Sequence, residues 1–365
     1  MPSKWITVLA AVLFAVGVAA APASADGRND PIAADLNGDG LTDRVTLDAV
    51  PGPVTNCAVV VELAKPGGGY QAPQPHVYLT LPGARNYCPD LGTAVRVSST
   101  RTDLVVGWFS GRPPEAGSDL LVIRDFRVVG GAMGIFQPSV IGSADFNGDG
   151  RQDVYEWTDQ GDGFQTFLTS GIGTLTRGPV RYCSGRPDPH LADFNRNRAT
   201  DVVLGYIEGC PGYTTGVVVI LDDGRQVDLQ RDTFGDRTWA VGVDDFNRDG
   251  RDDVVTTDDH GTVTHFFGNG DGTFVAGPRP SPDRVSIRRT AGRANAVIAV
   301  LANDLATRRA TVSIVTPPAY GRAVVSRGRI VYTPDPGGGR ADRLVYRLTD
   351  DGRSRNAAVT ITFTR

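Results

Sequence analysis

Oxygen-bearing side chains recur in one spacing three times along this chain: Asp35-Leu-Asn37-Gly-Asp39-Gly40-Leu41-Thr-Asp43, Asp145-Phe-Asn147-Gly-Asp149-Gly150-Arg151-Gln-Asp153 and Asp245-Phe-Asn247-Arg-Asp249-Gly250-Arg251-Asp-Asp253. The shared phrase is D-x-N-x-D-G-x-x-D. Hard oxygen donors at positions 1, 3, 5 and 9, with a glycine at 6 for a sharp turn, match the chemistry of Ca²⁺. That ion takes about six to eight oxygens at roughly 2.3–2.6 Å. Position 7 (Leu41, Arg151, Arg251) follows no side-chain rule, as expected if it offers only its backbone carbonyl. A weaker copy, Asp193-Phe-Asn195-Arg-Asn197-Arg198-Ala-Thr-Asp201, keeps Asp193, Asn195, Asn197 and Asp201 but carries Arg198 where the glycine should be.

The elements around the loops repeat as well. Each loop follows a short apolar strand and leads into a β-branched strand, then a hairpin with a Gly-rich turn. The clearest copy runs from Trp239-Ala-Val-Gly-Val243 through the loop to Val254-Val-Thr-Thr257 and Thr262-Val-Thr-His-Phe-Phe267. Such period-2 runs broken by Gly, Asn and Asp are strand and hairpin signals. A fifth unit, Val95 to Asp103 followed by Leu104-Val-Val-Gly-Trp108, keeps only the last Asp. Measured on that Asp, the units (Asp43, Asp103, Asp153, Asp201, Asp253) lie 60, 50, 48 and 52 residues apart. Five units of about four strands each predict the blades of a β-propeller in an all-β chain. An EF-hand is excluded because position 12 is Thr46, Glu156 or Thr256 instead of a uniform Glu, and the flanks alternate as strands. Loops about 50 residues apart also exclude the closely paired loops of a dockerin.

Through the three full loops and Phe267-Gly-Asn-Gly-Asp-Gly-Thr-Phe274, the segment from Pro31 to Pro278 resembles the FG-GAP or VCBS-type repeats of integrin-like propellers. The resemblance implies that each loop joins two strands of a blade and holds Ca²⁺. Family propellers often have seven blades, whereas five units are legible here. The tail alternates in Ala310–Val315, Arg329–Tyr332, Arg343–Leu348 and Ala358–Phe363, as a small β-sandwich does. It resembles bacterial cadherin-like, Ig-like modules through Val300-Leu-Ala-Asn303-Asp304, Tyr332-Thr-Pro334 and Asp342-x-x-x-Tyr346-x-x-x-Asp350, with Arg340 where those modules usually have Gly.

Lys4, an apolar run from Trp5 to Ala21 and Ala23-Ser-Ala25 read as a signal peptide over residues 1–25, so the mature chain is expected to be secreted. Nothing later is long and apolar enough to be a transmembrane segment. In an oxidising compartment the four cysteines are expected as two disulfides. Proximity favours Cys57–Cys88 and Cys183–Cys210. Charge divides the remainder. Residues 26–280 carry 35 acids against 21 Arg and Lys, a net of −14, and residues 281–365 carry 15 Arg against 6 Asp, a net of +9. The break predicts a propeller over 26–280 and a sandwich over 281–365.

Function is read by weighing binding against catalysis. A rigid repeat fold with variable loops suits an extracellular recognition or adhesion module for a glycan, a cell-surface component or a protein. Trp108, Tyr206 and Trp239 are candidate sugar contacts, although strand positions favour core roles for them. The alternative is a polysaccharide lyase or hydrolase on the propeller. Against it, G-x-S-x-G, H-E-x-x-H and S-x-x-K are absent, and His76, His190, His260 and His265 are scattered. The acidic propeller disfavours nucleic acid as a partner.

Overall fold

The computed structural model describes residues 30–364 apart from 51–52, 82–87, 111–118, 159–162, 210–211, 213, 289–294 and 338. The expected signal peptide lies outside the described residues. Among the described residues, no helix is long and apolar enough to cross a membrane.

The chain is all-β, and its first part consists of five four-stranded antiparallel meanders. Blade 1 holds β1 (Ile32–Ala34), β2 (Asp43–Val50), β3 (Thr55–Glu62) and β4 (Gln74–Leu81). Blade 2 holds β5 (Leu91–Ser98), β6 (Arg101–Gly107), β7 (Leu120–Arg124) and β8 (Arg127–Ala132). Blade 3 holds β9 (Val140–Ala144), β10 (Asp153–Trp157), β11 (Phe164–Thr169) and β12 (Leu175–Tyr182). Blade 4 holds β13 (Ser184–Ala192), β14 (Asp201–Gly209), β15 (Thr214–Ile220) and β16 (Gln226–Asp232). Blade 5 holds β17 (Trp239–Asp244), β18 (Asp253–Asp258), β19 (Val263–Gly268) and β20 (Phe274–Ala276). These are the five units expected from the spacing of the last Asp.

Strand alternation distributes each blade's side chains to its two neighbours. In β14, Val202, Leu204 and Tyr206 join a core with blade 3, while Val203 joins one with blade 5. In β6, Leu104 and Val106 pack toward blade 1 and Val105 toward blade 3. Inner strands therefore bury both faces, which explains why they read as continuous Val-rich runs. Each such side chain is worth about 1.5–3 kcal/mol on full burial. Four cores join successive blades from first to fifth. Among the described residues no hydrophobic cluster joins blade 5 to blade 1. Trp108 and Tyr206 are buried and Trp239 is half-buried against the core between blades 4 and 5, so all three serve packing.

The last part is a two-sheet sandwich. One sheet has the order β21 (Asp283–Arg288), β27 (Arg353–Thr364), β26 (Ala341–Asp350), β23 (Thr311–Thr316), with β21 and β27 parallel. The other has the order β22 (Ala296–Ile298), β25 (Arg329–Pro334), β24 (Gly321–Ser326). The Asp342, Tyr346, Asp350 series shares one face of β26, and all three residues are buried and hydrogen-bonded. Asp342 accepts the Tyr332 hydroxyl and the Ala319 and Tyr320 N–H groups at 2.7, 2.9 and 2.9 Å. Tyr346 donates to Asp304 at 2.9 Å, and Asp350 accepts the Thr307 N–H and hydroxyl at 2.6 Å each. This motif is the sandwich's internal polar framework.

The sandwich meets blade 5 along its third strand, β19. His265 Nε2 lies 2.6 Å from Asp351 Oδ2 in the β26–β27 turn, and Arg353 donates to the Thr264 hydroxyl at 2.6 Å. His265 also packs between the rings of Phe246 and Phe267. His76 stacks on Phe126 across blades 1 and 2, and His260 sits exposed in the β18–β19 turn.

Each acidic loop joins the first and second strands of its blade and turns through two left-handed residues, at positions 4 and 6. They are Gly38 and Gly40 (φ +78° and +82°), Gly148 and Gly150 (+70° and +82°), and Arg248 and Gly250 (+64° and +80°). The degenerate loop keeps this path with Arg196 and Arg198 at +61° and +77°. A non-glycine residue held there costs roughly 1–2 kcal/mol, partly offset by the smaller backbone entropy that an arginine loses on folding. Arg198→Gly is therefore expected to stabilise the protein by about 1 kcal/mol in urea unfolding. An unchanged or lower midpoint would show that Arg198 contributes more than it strains.

Candidate metal loops and the opposite blade end

In each full loop the first carboxylate folds back over the turn. Asp35 Oδ1 accepts the Gly38 and Asp39 N–H groups at 2.8 and 3.2 Å, and its Oδ2 accepts that of Gly40 at 2.9 Å. Asn37 Oδ1 then accepts the Asp39 N–H at 2.9 Å, and Asp39 Oδ1 the Leu41 N–H at 2.8 Å. The other two loops repeat this pattern through Asp145, Asn147, Asp149 and Arg151, and through Asp245, Asn247, Asp249 and Arg251. Asp39, Asp149 and Asp249 remain exposed. Arg151 and Arg251 reach back to Asp149 and Asp249 at 3.1 and 3.4 Å.

Position 9 behaves differently. Asp43, Asp153, Asp201 and Asp253 open the second strand of their blades and are fully buried. One oxygen of each accepts the N–H of loop position 2: Leu36, Phe146, Phe194 and Phe246 at 2.9, 2.9, 2.9 and 3.0 Å. The other accepts an N–H at the end of the third strand: Ala64, Thr169, Asp222 and Gly268 at 2.8, 2.8, 2.7 and 2.8 Å. One carboxylate thus ties loop, second strand and third strand together. Burial pushes the Asp153 carboxyl up to about 6 and those of Asp201 and Asp253 up to about 7, with neighbouring loop carboxylates adding to each shift.

Blade 2 retains the buried Asp without the loop. There Arg124, at the end of the third strand, grips Asp103 with both arms, Nε to Oδ1 at 3.0 Å and Nη2 to Oδ2 at 2.6 Å. The ion pair with Asp103 raises the Arg124 pKa above the ordinary guanidinium value. Among the described residues, Asp43, Asp153, Asp201 and Asp253 have no such cationic side chain. The donor set of the loops, oxygen only and rich in carboxylate, fits a hard divalent cation in that role. Asp35, Asn37, Asp39 and Asp43, with their counterparts in the other two loops, are the groups that would hold it. Among the described residues no loop brings three acid oxygens within 4.8 Å of one another; the trio that meets this distance is Asp258, Asp259 and His260 in a surface turn. The degenerate loop is internally satisfied: Asn195 and Asn197 both donate to Asp222 Oδ1, at 2.8 and 2.9 Å.

The sequence reading did not single out Arg124, Asp222 or Glu156. Arg124 carried a signal, a cation at the end of the third strand of the one unit that lost its loop. Glu156 is fully buried in β10; its Oε2 accepts the Ile135 N–H at 2.8 Å and its Oε1 has no partner among the described residues. Burial pushes its carboxyl up to about 8.

Antiparallel meandering puts every acidic loop at one end of the blades and every second-to-third-strand turn and blade-to-blade link at the other. That opposite end carries Met133, Phe136 and Phe234, which are 57%, 53% and 83% exposed, together with Val50 and Val54. It also carries the Cys57–Cys88 disulfide. Cys183 is disulfide-bonded too, while its expected partner Cys210 lies outside the described residues. Among the described residues the loop end carries exposed apolar side chains too, Tyr70, Ile172, Val128, Val129 and Phe126, the last stacked on His76.

Residues 245–304 match the FG-GAP-like repeat, and residues 276–364 match the bacterial Ig domain, as the sequence resemblances anticipated. The two matches overlap where β20 ends at Ala276 and β21 begins at Asp283. No curated protein matches the chain. Two solved structures of an endo-fucoidan hydrolase from glycoside hydrolase family 107 are similar at 13% and 12% identity, with TM-scores of 0.21 and 0.20. The alignments cover 89% and 88% of this chain and 39% of each hydrolase chain, so this chain spans well under half their length. A likeness at that level carries no argument about activity.

Two predictions follow from the buried carboxylates. Arg124→Ala leaves the buried Asp103 with only the longer ion pair to Arg101 at 3.8 Å, and is expected to lower stability by about 3 kcal/mol in chemical denaturation; a loss under 1 kcal/mol would show that Asp103 does not depend on the Arg124 clamp. For pH, the folded-state values of about 6 to 7 for Asp153, Asp201 and Asp253 exceed the roughly 3.9 of an unfolded Asp. The folded chain then binds more protons than the unfolded one across that window, so this stability is present below about pH 4 and is lost as pH rises through 6 to 7. In chelator the melting temperature is expected to fall from pH 5 to 7.5, and calcium should remove the part of the fall that comes from Asp153 and Asp253 in complete loops, leaving the part from Asp201. Identical profiles with and without calcium would contradict the role of the loops.

Proposed function

We propose that this chain is a secreted, calcium-binding recognition or adhesion module that acts by binding. Its loop end would take up Ca²⁺ as a structural counter-charge, adding binding free energy to folding. Its opposite end would meet an extracellular glycan, a cell-surface component or a protein. FG-GAP-like and Ig-like units suit such a role. The observation that carries the reading is the exposure of two aromatic side chains on blade-to-blade links, Phe136 at 53% and Phe234 at 83%, at the end away from the self-bonded acidic turns. Aromatic side chains are the residue type that anchors contact surfaces.

A polysaccharide hydrolase or lyase is the second reading. It draws on Glu156, a carboxyl pushed up to about 8, and on Asp119, which burial also raises. Acid–base catalysis pairs a carboxyl held protonated with a second that stays ionised, and Glu156 has the character of the first. Glu156 has no solvent-exposed surface from which to reach a substrate, which favours binding.

The test is binding of the full mature chain to a glycan array and to intact bacterial cells. The double variant Phe136→Ser, Phe234→Ser is expected to weaken binding at least tenfold, with Ile172→Ser at the loop end as an unaffected control. Equal losses at both ends, or none at either, would overturn the reading. Release of shortened saccharides by the wild type, abolished in Glu156→Gln, would instead establish the enzyme.

A further inference from the structure

Between blades 3 and 4, at the end opposite the acidic loops, lies a cavity of about 540 Å³. That is within the range of about 300–1,000 Å³ typical of small-molecule sites. Tyr182, ending β12, and Tyr206, in β14, form its aromatic side, with ring centroids 4.9 Å apart and planes tilted by 49°. Tyr206 is locked in the blade 3–4 core, whereas Tyr182 is partly open. Burial and a hydrogen bond to Tyr206 raise the Tyr182 pKa above the ordinary phenol value, so its hydroxyl stays protonated. Around these rings stand Arg181, Gln226, Asp228 and Arg231, all exposed. Asp228 and Arg231 lie 3.6 Å apart, both about half exposed, a separation that leaves further guanidinium donors free. Arg181 has no ion pair among the described residues.

We infer that this cavity is a binding site for an anionic saccharide, a sugar ring bearing a carboxylate or a sulfate, which rests on the recognition reading above and gives it a ligand class. Three features of the lining select that chemistry. A pyranose presents C–H groups on its faces and hydroxyls at its edge, and a tyrosine supplies both an apolar ring and a polar tip to such a body. The wall carries an excess of positive charge: two guanidiniums face a single carboxylate, so an anionic group gains charge-assisted hydrogen bonds that the hydroxyls of a neutral sugar cannot match. A planar guanidinium also meets a carboxylate or sulfate with two parallel hydrogen bonds, which fixes the ring's orientation. A purely apolar ligand is disfavoured because it would strip water from Arg181, Arg231 and Asp228 with nothing in return. The sugar ring would pack along Tyr182 with its anionic group toward Arg181, while Asp228 accepts from a ring hydroxyl.

The probes are trigalacturonate, a sulfated galactose trisaccharide and neutral galactotriose, titrated calorimetrically into the full mature chain in calcium at low salt. At least one anionic probe is expected to bind ten or more times tighter than the neutral one, and the two arms separate carboxylate from sulfate. Arg181→Gln with Arg231→Gln changes only exposed side chains and should abolish that preference. Tyr182→Phe, which keeps the ring, should retain most of the binding. No binding of any probe, or anionic binding unchanged in the double arginine variant, would overturn the site. Because Phe136 and Phe234 do not line the cavity, failure here with an intact effect of their substitution on cell binding would remove the saccharide site alone. Loss of both would remove the recognition reading as well.

Discussion

The blades depend on a buried aspartate at the start of the second strand. Its two oxygens accept one N–H from the acidic loop and one from the end of the third strand, so a single side chain fixes three segments. A carboxylate accepting two backbone hydrogen bonds in a dry interior is well bonded, yet it still carries an uncompensated charge. Blade 2 answers that charge with Arg124 and needs no loop. The other blades place further carboxylates nearby and so increase the problem, unless a cation joins them. In blades 1, 3 and 5, which lack a partner arginine and keep the full D-x-N-x-D-G turn, a bound cation would meet that electrostatic requirement; blade 4 has neither and bonds its loop to Asp222.

The same geometry divides the molecule functionally. Because each blade is an up-and-down meander, its loops alternate strictly between two ends. Acidic turns whose side chains bond to their own backbone occupy one end, and Phe136, Phe234, the disulfide and the cavity occupy the other. The sandwich adds a further constraint through His265 and Asp351, which tie it to the third strand of blade 5. Its basic character and the acidity of the repeats are compatible with that contact, in which Arg353 reaches a blade hydroxyl. Five blades joined in series by four cores, and ended by a sandwich, are stabilised mainly between neighbours.

Much of this was legible in the sequence for a physical reason: a repeat states its rules several times. The last Asp of each unit predicts the blades even where a loop has decayed, because that residue's role is structural in all five. The loop turns were legible from Gly40, Gly150 and Gly250, whose left-handed backbone other residues resist, although Arg198 adopts the same path. Cys57–Cys88 was legible from its proximity in sequence. The second role of position 9 was not, since a side chain that both ends an acidic loop and caps strand N–H groups has the same letter as one that does either. Glu156 and the Tyr182–Tyr206 cavity were also hidden. Each arises where two blades meet, and residues that come together only through packing leave no fixed spacing. The motif around Tyr346 was visible as a pattern, and its meaning emerged from the hydrogen bonds to Asp304 and Thr307 that surround it.

The central claim is that a divalent cation answers the charge of the buried aspartates in the three complete loops. Calorimetric titration of calcium into the metal-free protein tests it most directly, with thermal unfolding at each step. The account predicts three sites per chain, one lost with each Asp→Asn substitution at Asp39, Asp149 or Asp249, and a melting temperature that rises as the sites fill. No heat of binding and an unchanged melting temperature would contradict it, leaving the loops as turns held by their own hydrogen bonds.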